Sequence, residues 1–416
     1  MGKIRVVAAM SGGVDSCVTA ALLKDQGYEV IGITMQLWNH AGDGESRFDS
    51  CCSLTDVHDA RLAAHRLGIP HYVVNYEKEF KKGVVDYFAA EYGAGRTPNP
   101  CVMCNSQLKF DHLVERAKAL GAEWVATGHY ARVVHHQDGR PSELYTGVDA
   151  QKDQSYFLFD MNPKNLAHAL FPLGGLTKSE VRQIAAGLGL HTAEKHESQE
   201  ICFVTGRRYT DFLSQHYPEV TGKAGEIVDP EGNTLGFHNG IHQFTVGQRK
   251  GLQELLKGVH EPRYVKSIDP KTHRVVVDTL ENLKVSTLVI EKPNWLVPMA
   301  PDKSEDYYQS FADRLNELPS LAVMVRYRAR LVACHVDQIT DTAIHLALNE
   351  KASWVTPGQA AVLYSDQRVI GGGFIGARPE GLRPTVYSRS HEKAHESTKE
   401  ISHRAQAETS PAPEPA

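Results

Sequence analysis

The feature that most constrains the fold is an alternation of apolar strand-like runs with amphipathic helical stretches between residues 3 and 127. The runs predict strands at 3–9, 30–36, 71–75 and 124–127, and the stretches between them predict helices at 17–26, 55–67, 80–92 and 109–120. This alternation is typical of the α/β class with a doubly wound parallel sheet. Right-handed crossovers then place a ligand at the carboxyl ends of the strands.

The pattern after residue 127 predicts further domains. Helical stretches at 155–161 and 177–188, the second opened by the capping box Thr177-Lys-Ser-Glu180, extend the first domain to residues 1–213. Short strands with glycine turns predict a small β-rich central domain at 214–283. After a proline-marked acidic connection (298–319), strands at 321–328, 344–348, 360–364 and 369–374 predict a C-terminal β-barrel at 284–378, with 321–328 a half-buried strand. Residues 379–416 are polar, which predicts a disordered tail.

Composition favours a globular protein of the cytoplasm. The 416 residues are 41% hydrophobic and 23% charged, without an apolar run that could span a bilayer. An apolar strand follows the first residues directly, so we expect no targeting segment and seven reduced cysteines. The formal charge of −5 argues mildly against nucleic-acid binding, which would have to depend on local basic patches.

A glycine-rich loop follows the first predicted strand. Its sequence is Ser11-Gly12-Gly13-Val14-Asp15-Ser16, and a helical pattern comes next. Glycines let the backbone approach a pyrophosphate, while the serine hydroxyls and the helix N-terminus offer donors. Asp15 opposes bare phosphate and is better suited to Mg²⁺. The alternative is a glycine turn with an Asp or Ser helix cap and no ligand.

The loop resembles that of the pyrophosphatase-loop (PP-loop) family, with the adenine nucleotide alpha hydrolase-like fold. Its members cleave ATP between the α and β phosphates, so the resemblance implies ATP and Mg²⁺ as cofactors. Two further positions lie at predicted strand ends: Met35, and Gly128 in Thr127-Gly128-His129-Tyr130. The alternative to ATP contact is a core methionine at the first position and an ordinary strand-end glycine at the second. The predicted ATP contacts are Ala9, Met10, Ser11, Gly12, Gly13, Val14, Asp15, Ser16, Met35 and Gly128.

Two distant cysteines are candidates for sulfur chemistry. Cys104 lies in the proline-stiffened segment Thr97-Pro98-Asn99-Pro100-Cys101-Val102-Met103-Cys104-Asn105, ahead of a predicted helix whose N-terminus favours a thiolate. Cys202 lies in Ser198-Gln199-Glu200-Ile201-Cys202-Phe203. Two such thiols suit a persulfide reaction that ends in a disulfide. The alternatives are burial for Cys202 and zinc at Cys101-x-x-Cys104, although adjacent Cys51 and Cys52 form a poor second pair. Cys17 and Cys334 are expected to be packing residues.

Several motifs together resemble the bacterial tRNA-specific 2-thiouridylase family. They are the loop 11–16, the segment 99–105, Lys152-Asp153-Gln154-Ser155-Tyr156-Phe157-Leu158, the segment 198–203, Thr245-Val246-Gly247-Gln248-Arg249-Lys250-Gly251-Leu252, Arg326-Tyr327-Arg328 and Thr356-Pro357-Gly358-Gln359. They occur in the family's order, over about residues 5–376. The implied enzyme is a sulfurtransferase that uses ATP to replace the 2-oxygen of a wobble uridine with sulfur.

The resemblance also implies roles for single residues. Cys202 would carry a persulfide and Cys104 would be the second catalytic thiol, the two ending as a disulfide. Contacts to the target base are expected at Asn99, Pro100 and Cys101. Contacts to tRNA are expected at His129, Lys152, Asp153, Gln154, Arg326, Tyr327 and Gln359, although solvated surface charge is the alternative for Lys152 and Arg326. Arg249 and Lys250 form a basic turn. This turn is equally consistent with phosphate binding and with the solvated tip of a hairpin.

Cys101 departs from many relatives, which have aspartate there. This favours a second hypothesis, in which Cys101, Cys104 and Cys202 ligate a 4Fe–4S cluster with one open iron. The expected partners are tRNAs with a wobble uridine, such as those for Lys, Glu and Gln, and a cysteine desulfurase or sulfur-relay protein as donor; no membrane is expected. A nitrogen-transferring ligase of the PP-loop family and a non-catalytic RNA-binding module are the rival interpretations.

Overall fold

The structure is a computed structural model that describes residues 3–38, 54–195, 201–204, 208–299 and 304–376. Its strands are β1 (Arg5–Ala9), β2 (Glu29–Gln36), β3 (His71–Asn75), β4 (Trp124–Ala126), β5 (Ala131–Val134), β6 (Glu143–Thr146), β7 (Ala169–Leu170), β8 (Gly225–Val228), β9 (Thr234–His238), β10 (Tyr264–Asp269), β11 (Arg274–Asp278), β12 (Val285–Trp295), β13 (Leu321–Met324), β14 (Val332–Ile339), β15 (Ala343–Ala352), β16 (Ala360–Ser365) and β17 (Arg368–Ile375). Its α-helices are α1 (Val14–Asp25), α2 (Leu54–Leu67), α3 (Glu77–Phe80), α4 (Asp86–Gly93), α5 (Pro100–Met103), α6 (Leu113–Ala119), α7 (Pro163–Leu166), α8 (Lys178–Gly187), α9 (Tyr209–His216) and α10 (Glu305–Asn316).

The first domain is a parallel sheet in the order β3-β2-β1-β4-β7. The chain moves outward from β1 to β2 and β3, then returns to the other side of β1 with β4, and every pairing in this sheet is parallel. The direction of winding therefore reverses between β1 and β4. In a doubly wound sheet the crevice at that reversal, at the carboxyl ends of the strands, is where ligands bind. The predicted fold class is confirmed.

The alternation of side chains along β1 explains why both faces of this sheet are covered. Val6 and Ala8 belong to an apolar cluster with α1, α2 and α8, whereas Val7 belongs to a second cluster with α4 and α6. Successive residues of a strand point to opposite faces, so a wholly apolar strand can be buried only between two helical layers. The loop after β1 consequently starts from a strand that is fixed on both faces.

The central domain pairs its strands in the order β10-β11-β8-β9 around a small core of Ile227, Phe244, Val265, Val275 and Val277. Helix α9 precedes it and runs across the predicted boundary after residue 213. The domain boundaries themselves stay predictions.

The C-terminal domain is a closed barrel. Its strands follow the order β12-β15-β14-β13-β16-β17, and β17 pairs back onto β12 through Ile375 and Ile290. The hairpin of β5 and β6, which lies in the first domain by sequence, joins this sheet where Tyr145 pairs with Arg368 of β17. The barrel is thus connected by strand pairing to the segment that follows β4.

Three local predictions were wrong. Residues 155–161 contain only a 3₁₀ turn at Ser155–Phe157. The predicted connection at 298–319 lies between the barrel strands β12 and β13 and contains α10, whose Tyr308, Phe311 and Leu315 are buried against the barrel core. The strand predicted at 321–328 ends at Met324, and both of its faces are covered: Leu321 and Val323 belong to the barrel core, and Met324 packs against the cluster that contains Tyr156 and Phe159. Arg328 instead lies in a turn with φ of +60°.

The cysteine segment is also organised differently from its prediction. Helix begins at Pro100 with Asn99 as the N-cap, and it continues through a π-helical stretch, Cys104–His112, into α6. Cys101 and Cys104 therefore lie within the helix and not in a loop ahead of it. A proline at the first helical position explains the early start, because its missing N–H is not needed there. π-Helical stretches are often found at functional sites.

Within the described residues, no helix has the length and apolar character needed to cross a membrane.

Candidate active site

The loop after β1 folds back on itself and opens α1. The backbone N–H of Ser11 donates to Ser16 Oγ at 3.1 Å, and Ser16 Oγ donates to the carbonyl of Gly13 at 3.0 Å. Gly12 has a φ of +76°, and a Cβ there would lie 2.1 Å from the carbonyl oxygen of Asp56. Only glycine fits that position. Gly13 is the N-cap of α1, so the alternative of an Asp or Ser side-chain cap is not what the structure has.

Asp15 projects from the first turn of α1 into a set of polar contacts. Lys178 Nζ donates to its two carboxylate oxygens at 2.7 and 2.8 Å, and Tyr130 Oη donates to Oδ1 at 2.8 Å. The Lys178 ammonium also lies 5.7 Å from the centre of the Tyr130 ring. Mg²⁺ typically takes one or two carboxylates together with phosphate oxygens and water. Asp15 fits such a site as a single ligand, provided that Lys178 moves away from it.

A second lysine supports the loop from the other side. Lys195 Nζ donates to the carbonyl of Gly12 at 3.2 Å, to Asp56 Oδ1 at 2.6 Å and to Asp59 Oδ2 at 2.5 Å. Burial opposes the charge on Lys195, but the Asp56 and Asp59 carboxylates together outweigh it and raise the pKa of Lys195, so its ammonium stays charged. Lys195 therefore connects the loop to the first turns of α2.

The other predicted ATP positions surround the loop. A Cβ at Gly128 would lie 3.0 Å from Ser16 N, so the end of β4 approaches the start of α1 closely. Met10 and Val14 are buried, and the Met10 carbonyl accepts a bond from Thr34 Oγ1 at 2.6 Å. Ala9 and Met35 pack in or against the apolar cluster on the α4 and α6 face. The carboxyl ends of β2 and β4 therefore lie at the same edge of the sheet as the loop, while the ATP contacts stay predictions.

Sequence reasoning missed four charged or polar residues of this site: Tyr130, Lys178, Lys195 and Asp56. Two of them stood within sequence signals that were already visible. Tyr130 ends the run that contains Gly128, and Lys178 is the second residue of the capping box Thr177-Lys-Ser-Glu180. The first signal was interpreted only for its glycine, Gly128, and the second only as a helix cap.

The two candidate catalytic cysteines lie on the same side of the sheet. Cys104 is 9% exposed and belongs to the apolar cluster that covers the α4 and α6 face, and half-buried Cys202 packs against that cluster. Ala9, the last residue of β1, packs against it too. Residues 198–200 of the Cys202 motif, and Cys51 and Cys52, lie outside the described residues.

Cys17 and Cys334 are buried, as predicted for packing residues. Burial raises the pKa of the Cys17 thiol to about 11 and that of the Cys334 thiol to about 12. Both therefore stay protonated and weakly nucleophilic near neutral pH.

The three cysteines proposed as iron–sulfur ligands do not form a ligand set. Cys101 is exposed whereas Cys104 is buried, although they stand three residues apart. In the part of the chain that the structure describes, no group of three or more His, Cys, Asp or Glu side chains is placed to hold a metal ion. The arrangement in the described residues therefore fits neither the cluster nor a zinc site at Cys101-x-x-Cys104.

Several of the residues predicted to contact the base and tRNA lie where the barrel meets the first domain. Gln359 Nε2 donates to the carbonyls of Thr97 and Pro98, each at 3.1 Å, beside the buried Asn99 and Pro100. The centre of the Tyr327 ring lies 4.4 Å from the centre of the Phe157 ring. Phe157 follows the segment Lys152-Asp153-Gln154 in the sequence. Tyr156 Oη donates to the Ala360 carbonyl at 2.8 Å, and burial raises the pKa of Tyr156 although the Asn99 side chain and the Arg326 charge oppose that rise.

Three of those predicted contacts have interior partners. His129 is 8% exposed, with Nδ1 bonded to Thr127 Oγ1 at 2.7 Å and its ring between Phe110 and Phe171. Burial lowers the pKa of His129 well below its ordinary value, so its imidazole is neutral. Asp153 accepts the backbone N–H of Gly147 and the hydroxyl of Ser155, and Gln154 Oε1 accepts the N–H of Tyr130. Their predicted tRNA roles stay predictions.

Comparison with known protein families divides the chain into three parts. Residues 4–206 match a tRNA methyl transferase HUP domain, residues 210–279 a tRNA methyl transferase PRC-barrel domain, and residues 285–375 an aminomethyltransferase beta-barrel domain. A relative named tRNA-specific 2-thiouridylase, from Geotalea uraniireducens, is 47% identical over 380 residues, covering 89% of this chain and 94% of the relative. The chain belongs to the tRNA-specific 2-thiouridylase family.

Two further 2-thiouridylases give the same coverage. The protein from Geobacter metallireducens is 47% identical over 90% of this chain and 97% of the relative, and that from Rickettsia typhi is 42% identical over 89% and 98%. Membership of the 2-thiouridylase family confirms the predicted resemblance, while the roles of single residues stay predictions.

Proposed function

We propose that this protein is a tRNA-uridine 2-sulfurtransferase, which adenylates the 2-oxygen of a wobble uridine with ATP and then replaces it with sulfur. The family membership supports the substrate and product class. The observation that carries the chemistry is that Cys104 and Cys202, from distant segments, share one apolar cluster with Ala9 at the start of the phosphate loop. Nucleotide activation and sulfur transfer can therefore occur at one edge of the sheet.

The adenylation step uses the contacts of the loop. Ser11, Ser16 and the first amides of α1 are suited to bind phosphate oxygens, and Asp15 would hold Mg²⁺, which would neutralise charge on the phosphates. The uridine O2 forms a bond to Pα as the bond from Pα to the bridging oxygen of the β phosphate breaks. Its electron pair leaves with pyrophosphate. The uridine N3 proton is lost as C2=N3 forms. The 2-oxygen alone is a poor leaving group, but after adenylation it can leave C2 as part of AMP.

The sulfur step needs both thiols. The terminal sulfur of a Cys202 persulfide attacks C2, and the C2–O bond to AMP breaks. The Cys104 thiolate then attacks Cys202 Sγ, which releases 2-thiouridine and leaves a disulfide between the two cysteines. In the variant route, Cys104 attacks Cys202 Sγ first and the released hydrosulfide attacks C2. Either route consumes two electrons from the thiols, so an external dithiol must reduce the pair.

The uridine must leave its stack to reach these groups. Asn99, Pro100 and Cys101, at the start of the cysteine helix, are suited to contact the flipped base, and the joint between the barrel and the first domain is suited to hold the tRNA backbone. Lys152, Arg326 and Tyr327 line that joint. The expected substrates are wobble-uridine tRNAs such as those for Lys, Glu and Gln, and the sulfur donor is a cysteine desulfurase or a relay protein in the cytoplasm.

Thiolation in vitro tests the proposal. Purified protein, ATP–Mg²⁺, a desulfurase donor and unmodified tRNA are incubated, and the nucleosides are measured by mass spectrometry. We expect 2-thiouridine only with ATP, and none with Cys104→Ser or Cys202→Ser. Cys334→Ser, in the barrel core, is the matched control and should retain thiolation. ATP cleavage without a thiolated base under any donor would overturn the sulfur assignment, and thiolation by both serine variants would favour a different sulfur route.

A further inference from the structure

The loop carboxylate Asp15 is held by a lysine that lies far from it in the sequence. Lys178 Nζ contacts both of its oxygens, and the side chain of Lys178 is only 12% exposed, against 30% for Asp15. A lysine buried to this extent is oriented and cannot be treated as a solvated surface charge. Its ammonium points into the same loop that the proposed function assigns to the phosphates of ATP.

The position of Lys178 is fixed from its backbone. It is the first residue of α8, directly after the N-cap Thr177, whose side chain and that of Glu180 form a reciprocal capping box. The backbone N–H of Lys178 donates to Asp149 Oδ2 at 3.0 Å, and Asp149 Oδ1 accepts the N–H of Lys152 at 3.2 Å. The flexible butyl chain is therefore attached to a rigid base, and its ammonium can reach alternative partners without movement of α8.

Lys178 differs from Lys195 in what its departure would leave behind. Lys195 serves two carboxylates, Asp56 and Asp59, as well as the Gly12 carbonyl, so its removal would leave two negative charges together. Lys178 contacts the Asp15 carboxylate, which also accepts a bond from Tyr130 Oη. Asp15 is also the group suited to receive Mg²⁺ with the nucleotide. A Mg²⁺ ion at Asp15 would therefore replace the positive charge that Lys178 withdraws.

We propose that Lys178 is a catalytic residue of the adenylation step, a ligand of the β and γ phosphates that exchanges Asp15 for ATP. The inference rests on the proposed function and deepens it. On nucleotide binding the ammonium moves from the Asp15 carboxylate to the phosphate oxygens, and Asp15 becomes available to Mg²⁺. When the bond from Pα to the bridging oxygen breaks, the electron pair goes to pyrophosphate, and the Lys178 ammonium stabilises that charge. Lys178 keeps its proton throughout.

The test must separate a phosphate contact from simple neutralisation of Asp15. Removal of Lys178 would weaken ATP binding in either case, because it exposes a bare carboxylate. The two cases differ in protein that carries Asp15→Asn, where no carboxylate remains to be neutralised. ATP affinity is measured by calorimetry for Asp15→Asn with and without Lys178→Met, without tRNA or a sulfur donor. A direct contact predicts that Lys178→Met still weakens ATP binding by about tenfold or more.

The opposite result would overturn the proposal. If Lys178→Met changes the Kd for ATP by less than about twofold in the Asp15→Asn protein, Lys178 acts only as the counter-ion of Asp15. Lys178→Arg, which retains the charge, should recover part of the affinity. Lys118→Met, which removes an exposed lysine of α6, is the charge-matched control and should bind ATP as the unmodified protein does. Thermal unfolding of each variant confirms that it is folded.

A second measurement separates this inference from the proposed function. Exchange of labelled pyrophosphate into ATP in the presence of tRNA reports adenylation. If the unmodified protein shows no exchange, adenylation of the uridine fails while the calorimetric result for Lys178 still stands. If the unmodified protein exchanges and Lys178→Met exchanges at the same rate, the catalytic role of Lys178 is wrong. We expect the exchange rate at saturating ATP to fall by at least about tenfold.

Discussion

The phosphate loop and the C-terminal barrel are stabilised by different interactions. Around the loop, directional polar contacts join residues that are distant in sequence, such as Lys178 with Asp15 and Lys195 with Gly12. In the barrel, fully buried side chains such as Leu363 and Ile290 pack inside a sheet closed on itself. The loop geometry therefore depends on a few contacts, whereas the barrel shares its stability over many. Single substitutions in the first region should therefore affect ATP chemistry, in some cases together with stability, whereas single substitutions in the second region should affect stability alone.

Gly12→Ala should have the largest effect. The new Cβ would lie 2.1 Å from the Asp56 carbonyl at a φ of +76°, so overpacking and backbone strain together should cost about 4 kcal/mol and distort the phosphate site. Gly27 is the matched control, because its φ is +90° and a Cβ there would meet no atom within 4 Å. Gly27→Ala should cost only about 1 kcal/mol. Thermal unfolding and ATP calorimetry measure both, and wild-type ATP affinity in Gly12→Ala would contradict the tight packing of the loop.

Leu363→Ala should act on stability alone. Leu363 is fully buried in the barrel, and its truncation removes apolar contacts and leaves a cavity, at a cost of about 3 kcal/mol. ATP affinity at 25 °C should stay within about twofold of the unmodified protein, because the loop contacts do not involve β16. A large loss of ATP affinity in folded Leu363→Ala protein would show that the two regions are coupled more strongly than their contacts indicate.

The same contrast explains what could be predicted from the sequence. The parallel sheet was predictable because each strand is an apolar run and each helix has a regular period, and the phosphate loop was predictable because its glycines stand between the two. The cysteine pair was recognised through the family resemblance. None of these required knowledge of a distant contact.

What could not be predicted depends on such contacts. The partners of Asp15 come from α8 and from the segment after β4, and no local pattern pairs Lys178 with Asp15. The strand expected at 321–328 ends at Met324, because the turn that contains Arg328 places its guanidinium over the Tyr327 ring and against the Gln151 carbonyl. α10 was missed because prolines and acidic residues around it resemble a linker, although Ser304 caps it and one face is apolar.

Asp160 lies between the cysteine helix and the barrel and should make stability depend on pH. It lines a polar cavity of about 360 Å³ with Ser106 of the cysteine helix and Asn294 of β12. Burial raises the pKa of the Asp160 carboxyl from 3.8 to about 6. The folded state then binds more protons than the unfolded state between these values, so stability falls as pH rises through that window and the cost is complete above pH 6.

Asp160→Asn should remove that cost. We expect stabilisation of about 2 kcal/mol at neutral pH, and little difference from the unmodified protein below the ordinary pKa of the carboxyl. Thermal unfolding over a pH series measures the difference. Asp138→Asn is the control of opposite sign, since its bonds to Arg140 lower the pKa of the exposed Asp138 carboxyl. Stabilisation by Asp160→Asn that did not change with pH would mean that the carboxylate is not the cause.

Two helix caps make the smallest and most discriminating comparison. Thr177 caps α8 next to Lys178, and Ser304 caps α10 against the barrel; each side chain accepts a backbone N–H of its helix. Replacing either by alanine should cost about 1 kcal/mol of stability, because one helix-end donor loses its partner. Only Thr177→Ala should also weaken ATP binding, by a few fold, because it loosens the residue that presents the Lys178 ammonium to the loop. Equal ATP affinity in the two variants would mean that the position of Lys178 is set by Asp149 and α8 packing and not by the cap.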